Sequence, residues 1–142
     1  MTDTFVADSS VAISWAVPSQ ATEGAVGLLN DVLSGTPFVV PVLWAFEVAN
    51  SLLALRRRRV IQEGQYERAR RNLLELESIV DEEGPRLAFE KISSIAQEHS
   101  LSVYDAVYLE LALRRALPLA TRDSALNKAA KRAGLRTLLD TR

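Results

Sequence analysis

The chain contains no cysteine and a single histidine, His99, among its 142 residues. The absence of cysteine excludes disulfides and thiolate metal sites and agrees with a reducing compartment, so we expect a cytoplasmic protein. His99 ends a predicted helix, a position that the helix dipole favours for a surface histidine, and we assign it no catalytic role. Aromatic residues make up 6% of the chain. We therefore expect Trp15 and Trp44, with Phe46, in the core or an interface rather than in base-stacking platforms.

Long hydrophobic runs and an excess of one charge are also missing. The longest apolar stretch, residues 37–46, falls well short of the ~20 residues that cross a bilayer. The 17 basic and 18 acidic residues give a net charge of −1, so overall charge does not indicate a polyanionic partner. No basic leader begins the chain, and no glycine-rich phosphate loop occurs. We expect a soluble, unprocessed protein that has no membrane segment and no nucleotide-dependent function.

Runs that suit β-strands alternate with helical patterns along the chain. The predicted strands are 4–8, 37–43, 78–80, 117–121 and 135–139, and the predicted helices are 9–17, 21–34, 44–59, 62–77, 85–99, 102–116 and 123–133. Gly35 and Gly134 end two of these helices, and Pro85 suits a first helical position. Strands separated by helices predict a mainly parallel sheet with helices on both faces, a three-layer α/β/α fold. No linker divides the chain, so we expect one domain over residues 1–142.

Four carboxylates stand where an acid is locally unexpected. Asp8 and Asp123 each follow a predicted strand, and open α/β sheets bind their ligands at the carboxyl ends of strands. Asp105 projects on the apolar side of its predicted helix, and Glu47 lies on another helix. A charge in apolar surroundings is costly unless it is paired or bound to a metal. The four acids are therefore candidates for one divalent-metal site.

Each of these acids also has a purely structural interpretation. Asp8 and Asp123 stand one residue before predicted helices, in the N-cap position that favours Asp. Asp105 stands three residues after Ser102, which resembles a capping box. Glu47 can simply face water beside small polar residues. Four independent caps or solvated acids need not follow the strand-end pattern that a shared pocket requires, so we favour the metal site.

Short motifs surround the four acids in a characteristic order. They are Asp8-Ser9-Ser10, Glu47-Val48-Ala49-Asn50-Ser51-Leu52, Leu101-Ser102-Val103-Tyr104-Asp105-Ala106-Val107-Tyr108-Leu109 and Leu119-Ala120-Thr121-Arg122-Asp123-Ser124-Ala125-Leu126. Together they resemble the PIN domain, in particular the ribonuclease toxins of the VapBC type, over about residues 4–139. The resemblance implies that Asp8, Glu47, Asp105 and Asp123 bind metal, with Ser10 and Thr121 as polar helpers. Hydrogen bonding within a cap or turn is the alternative role of these two hydroxyls.

The resemblance also implies an activity and partners. It indicates a metal-dependent endoribonuclease that hydrolyses RNA phosphodiester bonds and is the toxin of a type II toxin-antitoxin pair. The implied partners are RNA, a small cognate antitoxin and a second copy in a homodimer. The apolar helices within 21–34 and 44–77 are candidate surfaces for the antitoxin and the second copy. Packing in the core is the alternative role of these helices. Mg²⁺ or Mn²⁺ is the expected cofactor, and both ions favour hard oxygen ligands such as carboxylates.

Other functions remain as alternatives. A non-catalytic PIN-fold interaction module and a PIN nuclease outside a toxin-antitoxin system both keep the fold. A phosphoacceptor receiver domain expects an acidic pair near the end of strand one and a late lysine, which this chain lacks. A haloacid-dehalogenase-type phosphatase expects a second Asp two residues after Asp8, where Ser10 stands. We disfavour the last two.

Basic residues are the candidates for RNA contacts. The run Arg56 to Arg59 ends the helix that carries Glu47, although a basic helix end also suits the helix dipole and a solvated face. Arg122, between Thr121 and Asp123, either contacts the scissile strand or pairs with a carboxylate. The remaining candidates are Arg68, Arg70, Arg71, Arg114, Arg115, Lys128, Lys131 and Arg132.

Overall fold

A computed structural model of the chain describes residues 3–139, and its centre is a four-stranded parallel sheet. The strands are β1 Phe5–Ala7, β2 Phe38–Pro41, β3 Ile79–Asp81 and β4 Leu119–Ala120, in the spatial order β3-β2-β1-β4. Val6 of β1 lies in register with Val39 on one side and with Leu119 on the other. The strands therefore all end at one edge of the sheet. The predicted limits at residues 1 and 142 lie outside the described residues.

Helices cover both faces of this sheet. The α-helices are α1 Ser9–Ala16, α2 Glu23–Leu33, α3 Leu43–Arg57, α4 Glu63–Glu75, α5 Gly84–Leu87, α6 Ser93–His99, α7 Val103–Arg115 and α8 Ser124–Arg132, with a 3₁₀ turn at Pro18–Gln20 and a π-helical segment at Ala88–Ile92. The predicted α/β/α architecture is confirmed. Instead of one helix over 85–99, the chain has α5, the π segment and α6. Within residues 3–139, no helix has the length and apolar character that crossing a bilayer requires.

The chain reverses its direction of travel across the sheet next to β1. It moves from β1 to β2 to β3, then crosses back to β4 on the far side of β1. Right-handed crossovers place α1 to α4 on one face and α5 to α8 on the other. In agreement, α1 contacts α2, α3 and α4, whereas α7 packs on β1 and β2 and contacts α6 and α8. Such a reversal opens a crevice at the carboxyl ends of the strands, here between β1 and β4.

Four aromatic rings pack together in the core near β1. Phe5, Trp15, Phe38 and Trp44 form contacts with ring centroids 5.4–6.5 Å apart. Aromatic pairs at such distances stabilise a core beyond the area they bury. The core prediction for the two tryptophans is confirmed. Phe46 differs, because its side chain points outward and is 70% exposed.

The predicted last strand at 135–139 is a single parallel bridge between Thr137 and Leu119. The Leu119 N–H donates to the Arg136 carbonyl at 3.0 Å, and the Leu138 N–H donates to the Leu119 carbonyl at 3.1 Å. β4 has only two residues. β4 is therefore too short to pair with a full strand over 135–139. The bridge that forms is parallel, as predicted.

A buried ion-pair network ties the edge strand β3 to α7. Asp81 is 3% exposed and accepts hydrogen bonds from Arg114 at 2.9 and 2.7 Å and from Arg115 at 3.0 and 3.2 Å. Arg114 also donates to buried Glu110 at 2.8 Å. The hydrogen bonds from Arg114 are the largest cause that holds the pKa of Asp81 down at about 2. These two arginines, candidates for RNA contacts by sequence, are engaged in holding the fold together.

We predict that Asp81→Asn lowers the free energy of unfolding by about 2–3 kcal/mol at pH 7, the value of a pKa shift of this size. Because the folded pKa lies below the unfolded value of 3.8, the stabilisation is fully present above about pH 4 and is lost as pH falls toward 2. Urea unfolding at pH 7 and at pH 3 measures this difference. Glu83→Gln is the control, since exposed pairs such as Glu83–Arg86 contribute about 1 kcal/mol or less. Equal midpoints for Asp81→Asn and wild type would contradict the prediction.

Candidate functional site

The ends of β1 and β4 carry the first two predicted site residues to the crevice. Asp8 directly follows β1 and Thr121 directly follows β4. The Thr121 hydroxyl donates to Asp8 Oδ2 at 2.5 Å, although the two residues are 113 positions apart in the chain. The local sequence places an acid and a hydroxyl at strand ends, and the parallel pairing of β1 with β4 brings them into contact.

Asp8 is buried and surrounded by donors. Its Oδ1 accepts the Ser10 hydroxyl at 2.6 Å and the backbone N–H groups of Ser10 and Val11 at 3.0 and 3.4 Å. The capping interpretation is thus correct for Asp8, which begins α1. Burial nevertheless raises the pKa of Asp8 to about 6, against the hydrogen bonds, which lower it. A buried carboxylate that resists ionisation is typical of a functional site.

Asp123 stands at the start of α8 beside Thr121. Its Oδ1 accepts the Leu126 N–H at 2.8 Å, so the capping interpretation is correct here too. The Asp123 N–H in turn donates to the Thr121 hydroxyl oxygen at 2.9 Å. Thr121 therefore links Asp8 to the backbone of Asp123. The side chain of Asp123 remains exposed.

Glu47 on α3 and Asp105 on α7 complete the predicted set. Burial raises the pKa of Asp105, and the negative charges of Asp123 and Glu47 raise it further. The Tyr108 hydroxyl donates to Glu47 Oε1 at 2.5 Å. Burial, this hydrogen bond and the charges of Glu47 and Asp8 all raise the pKa of Tyr108. These interactions link the four acids electrostatically, through Asp105 on one side and Tyr108 on the other.

The donor chemistry of this cluster fits a hard divalent cation. Carboxylate and hydroxyl oxygens are the ligands that Mg²⁺ and Mn²⁺ prefer, and Mg²⁺ is commonly held by only one or two carboxylates with water. Within residues 3–139, no three Asp, Glu or His side chains converge closely enough to form a metal cage. Asp8 and Glu47 are turned toward Thr121 and Tyr108. The negative charges of Asp123 and Glu47 add to the effect of burial in raising the pKa of Asp105, and a cation between these acids would offset that repulsion.

Sequence reasoning missed the contact made by Tyr108. Tyr108 belongs to the motif around Asp105, but the motif alone assigned it no role. The spacing of three residues between Asp105 and Tyr108 did contain a signal. Positions i and i+3 are neighbours on a helix surface, which places Tyr108 beside a predicted site acid. A buried tyrosine hydroxyl also needs a hydrogen-bond partner, and Tyr108 finds it in Glu47.

Of the two interpretations of Arg122, the structure tests the one in which it pairs with a carboxylate. Its Nη1 donates to the Ser14 hydroxyl at 2.8 Å and to the Gln20 carbonyl at 2.7 Å, and its backbone N–H donates to the Ser10 hydroxyl at 2.9 Å. The ion pairs of the described residues involve other arginines. Arg122 is thus anchored beside Asp8 and forms no ion pair with a carboxylate of residues 3–139.

Comparisons with known proteins agree with this architecture. The PIN domain family model matches residues 5–132. Three solved structures are similar: PAE2754 from Pyrobaculum aerophilum (TM-score 0.67, 18% identity, 96% of this chain and 84% of that chain), FitAcB from Neisseria gonorrhoeae (0.64, 18%, 95% and 96%) and VapBC2 from Rickettsia felis bound to a DNA fragment from their promoter (0.65, 12%, 94% and 96%). At such identities these likenesses show the fold. Among curated protein sequences, none matches the chain.

Proposed function

Because the chain belongs to the PIN domain family, we propose that it is a metal-dependent endoribonuclease that hydrolyses RNA phosphodiester bonds. The observation that supports this proposal best is the electrostatic linkage of Asp8, Glu47, Asp105 and Asp123 at the crevice between β1 and β4. We take residues 1–142 as one domain of this family, acting in the cytoplasm.

The four acids would hold Mg²⁺ or Mn²⁺. A divalent cation held there would act as a Lewis acid toward a phosphodiester and would lower the pKa of water toward neutrality. The chain's own residues position the ligands: Ser10 and Thr121 hold the two oxygens of Asp8, and Tyr108 holds one oxygen of Glu47. Asp8 itself is buried, and the low local dielectric constant strengthens the interactions of its charge.

We predict that the purified protein cleaves RNA in Mg²⁺ or Mn²⁺ and that EDTA abolishes the cleavage. The expected dependence follows from the all-oxygen ligand set, which also predicts that Zn²⁺ alone does not support full activity. Gel analysis of a mixed-sequence RNA measures the products. Undiminished cleavage in EDTA would overturn the metal dependence, and absence of cleavage with every divalent cation would favour the non-catalytic interaction module.

We also propose that the chain is the toxin of a type II toxin-antitoxin pair and forms a homodimer. Similar folds occur in FitAcB and in VapBC2, which was solved bound to promoter DNA. A groove of about 370 Å³ between α1, α2 and α4 supports a partner segment, because it is lined largely by apolar side chains, among them Trp15, Leu29, Leu33, Leu73 and Leu76. These residues fall in or beside the helices predicted as partner surfaces. A small antitoxin would dock there.

Expression of the chain alone should arrest growth, and co-expression with a small antitoxin encoded beside it should restore growth. The two proteins should form a complex that unfolds at a higher temperature than the chain alone, because a ligand that binds only the native state stabilises it. Asp8→Asn is the matched control and should be tolerated without the partner. If the wild type is harmless alone, the toxin assignment fails and a PIN nuclease outside a toxin-antitoxin system remains.

A further inference from the structure

A groove lined by both polar and apolar side chains lies between α1 and α3, next to Asp8. It has a volume of about 430 Å³, and we call it the side groove. Ser10 lies at the end nearest Asp8, and the polar residues along it are Gln20, Asn50, Ser51, Arg58 and Arg122. Ser10 joins the groove to the site, since its hydroxyl donates to Asp8 Oδ1 and accepts the Arg122 N–H.

One face of α3 leads along this groove away from Glu47. Asn50 and Ser51 follow Glu47 by one turn, and Ala54 and Arg58 follow by two and three turns, so all of them share a helix side. From Glu47 to Arg58 the helix rises by about 16 Å, at about 1.5 Å per residue. That length accommodates at most about five nucleotides at the 3.4 Å axial spacing of a stacked strand.

Neither arginine of the side groove pairs with a carboxylate within residues 3–139, whereas Arg56, Arg114 and Arg115 do. Arg56 pairs with Glu63 at 2.6 Å, and Arg114 and Arg115 pair with Asp81. Arg122 is partly buried and fixed by Ser14 and Gln20, and Arg58 contacts the Ala54 carbonyl; neither takes part in an ion pair of the described residues. A partly buried guanidinium without a counter-charge favours an anionic ligand.

The lining also indicates which part of a nucleic acid would bind. Within residues 3–139, no aromatic ring lines the side groove, so it offers no platform for stacking bases. Guanidinium, amide and hydroxyl groups suit phosphate oxygens, and contacts to phosphates position a strand without reading its sequence. The chemistry therefore points to the backbone of a single strand rather than to its bases.

We propose that the side groove binds the phosphates next to the cleaved bond, with Arg58 and Arg122 each contacting one phosphodiester of the RNA. This inference rests on the proposed function and extends it, because it assigns the path of the substrate away from the acids. It separates Arg58 from Arg57, its neighbour in the basic run, which does not line the groove.

Binding of a short labelled single-stranded RNA in EDTA tests the side groove without cleavage. At about 0.1 M salt, Arg58→Gln and Arg122→Gln should each weaken binding by about ten-fold, and each should reduce the slope of log K against log salt by about 0.7. Arg57→Gln, the matched control, should change the affinity by less than about two-fold. Two RNAs of unrelated sequence should respond alike. Arg122→Lys should recover most of the slope, because it keeps the charge.

The outcomes separate this proposal from the nuclease proposal. If the wild type cleaves RNA but Arg58→Gln and Arg122→Gln bind like Arg57→Gln, the side groove is not the substrate path. If the two variants lose RNA affinity and salt slope as expected but the wild type cleaves no RNA in Mn²⁺, the side-groove proposal is supported and the nuclease proposal is wrong. A wild type that binds no RNA in EDTA overturns the side groove, and cleavage in Mn²⁺ then decides the nuclease proposal separately. Thermal unfolding of Arg58→Gln should match the wild type, which excludes misfolding as the cause.

Discussion

Asp8→Asn is expected to lower RNA cleavage by at least about 100-fold, the effect of removing one electrostatic group from an active site, and to raise the stability of the metal-free protein. The rise follows from burial, because the folded protein holds Asp8 with a pKa of about 6. An amide never ionises, so the variant avoids this cost. Its Oδ1 can still accept the two N–H groups that begin α1, which preserves the cap.

The pH dependence of stability checks this explanation. The folded pKa of about 6 lies above the unfolded value of 3.8. The wild type should therefore lose stability as pH rises from about 4 to about 6, by about 3 kcal/mol in total at 1.36 kcal/mol per pKa unit. Asp8→Asn should lack this loss. Urea unfolding in EDTA at pH 4.5 and pH 8 measures both proteins. A variant that is less stable than the wild type at pH 8 would show that Asp8 acts mainly as a helix cap.

The second large effect concerns how much stability the protein gains on binding metal, and how far this gain depends on Asp105. With metal at about 100 times its Kd, the wild type should gain about 2.7 kcal/mol of stability. Asp105→Asn should lose most of this gain and most of the activity, while its stability in EDTA stays unchanged or rises. The rise is expected because the charges of Asp123 and Glu47 oppose ionisation of Asp105.

A capping role for Asp105 predicts the reverse pattern. The side chain lies in the first turn of α7, where its backbone N–H donates to the Ser102 hydroxyl oxygen at 3.1 Å. Loss of a favourable dipole interaction there would lower stability by roughly 0.3–1 kcal/mol and leave the Mn²⁺ response intact. Thermal melts of both proteins, with EDTA and with excess Mn²⁺, distinguish the two roles. A full Mn²⁺ shift in a destabilised Asp105→Asn would remove Asp105 from the proposed site.

Local sequence patterns predicted the parallel α/β/α fold and the strand-end positions of Asp8 and Asp123. These features depend on near neighbours: an apolar run, the acid that follows it and the helix that the acid begins. The same reasoning missed the π segment at Ala88–Ile92. The extra residue in a π-helical turn does not clearly interrupt an apolar pattern, so the sequence gives no sign of it. Only the structure shows that the Ser93 hydroxyl donates to the Ala88 carbonyl at 2.7 Å.

Partners of charged side chains were the part that sequence could not predict. Arg114 and Asp81 are 33 positions apart, and Arg122 and Ser14 are 108 apart. No local pattern distinguishes an arginine that closes a buried network from one that lines an open groove. The choice depends on how α7 crosses toward β3 and on how β4 is placed beside β1. Both follow from the strand order, which the sequence pattern leaves open.

The contact between Thr121 and Asp8 also determines when an active protein can first exist. Thr121 is added by the ribosome 113 positions after Asp8. At about 5–20 residues per second, that separation corresponds to roughly 6–23 s of synthesis. A nascent chain or a fragment that stops before β4 lacks Thr121 and Asp123 and cannot assemble the acid cluster. Under the proposed function, a fragment that stops before β4 should therefore cleave no RNA.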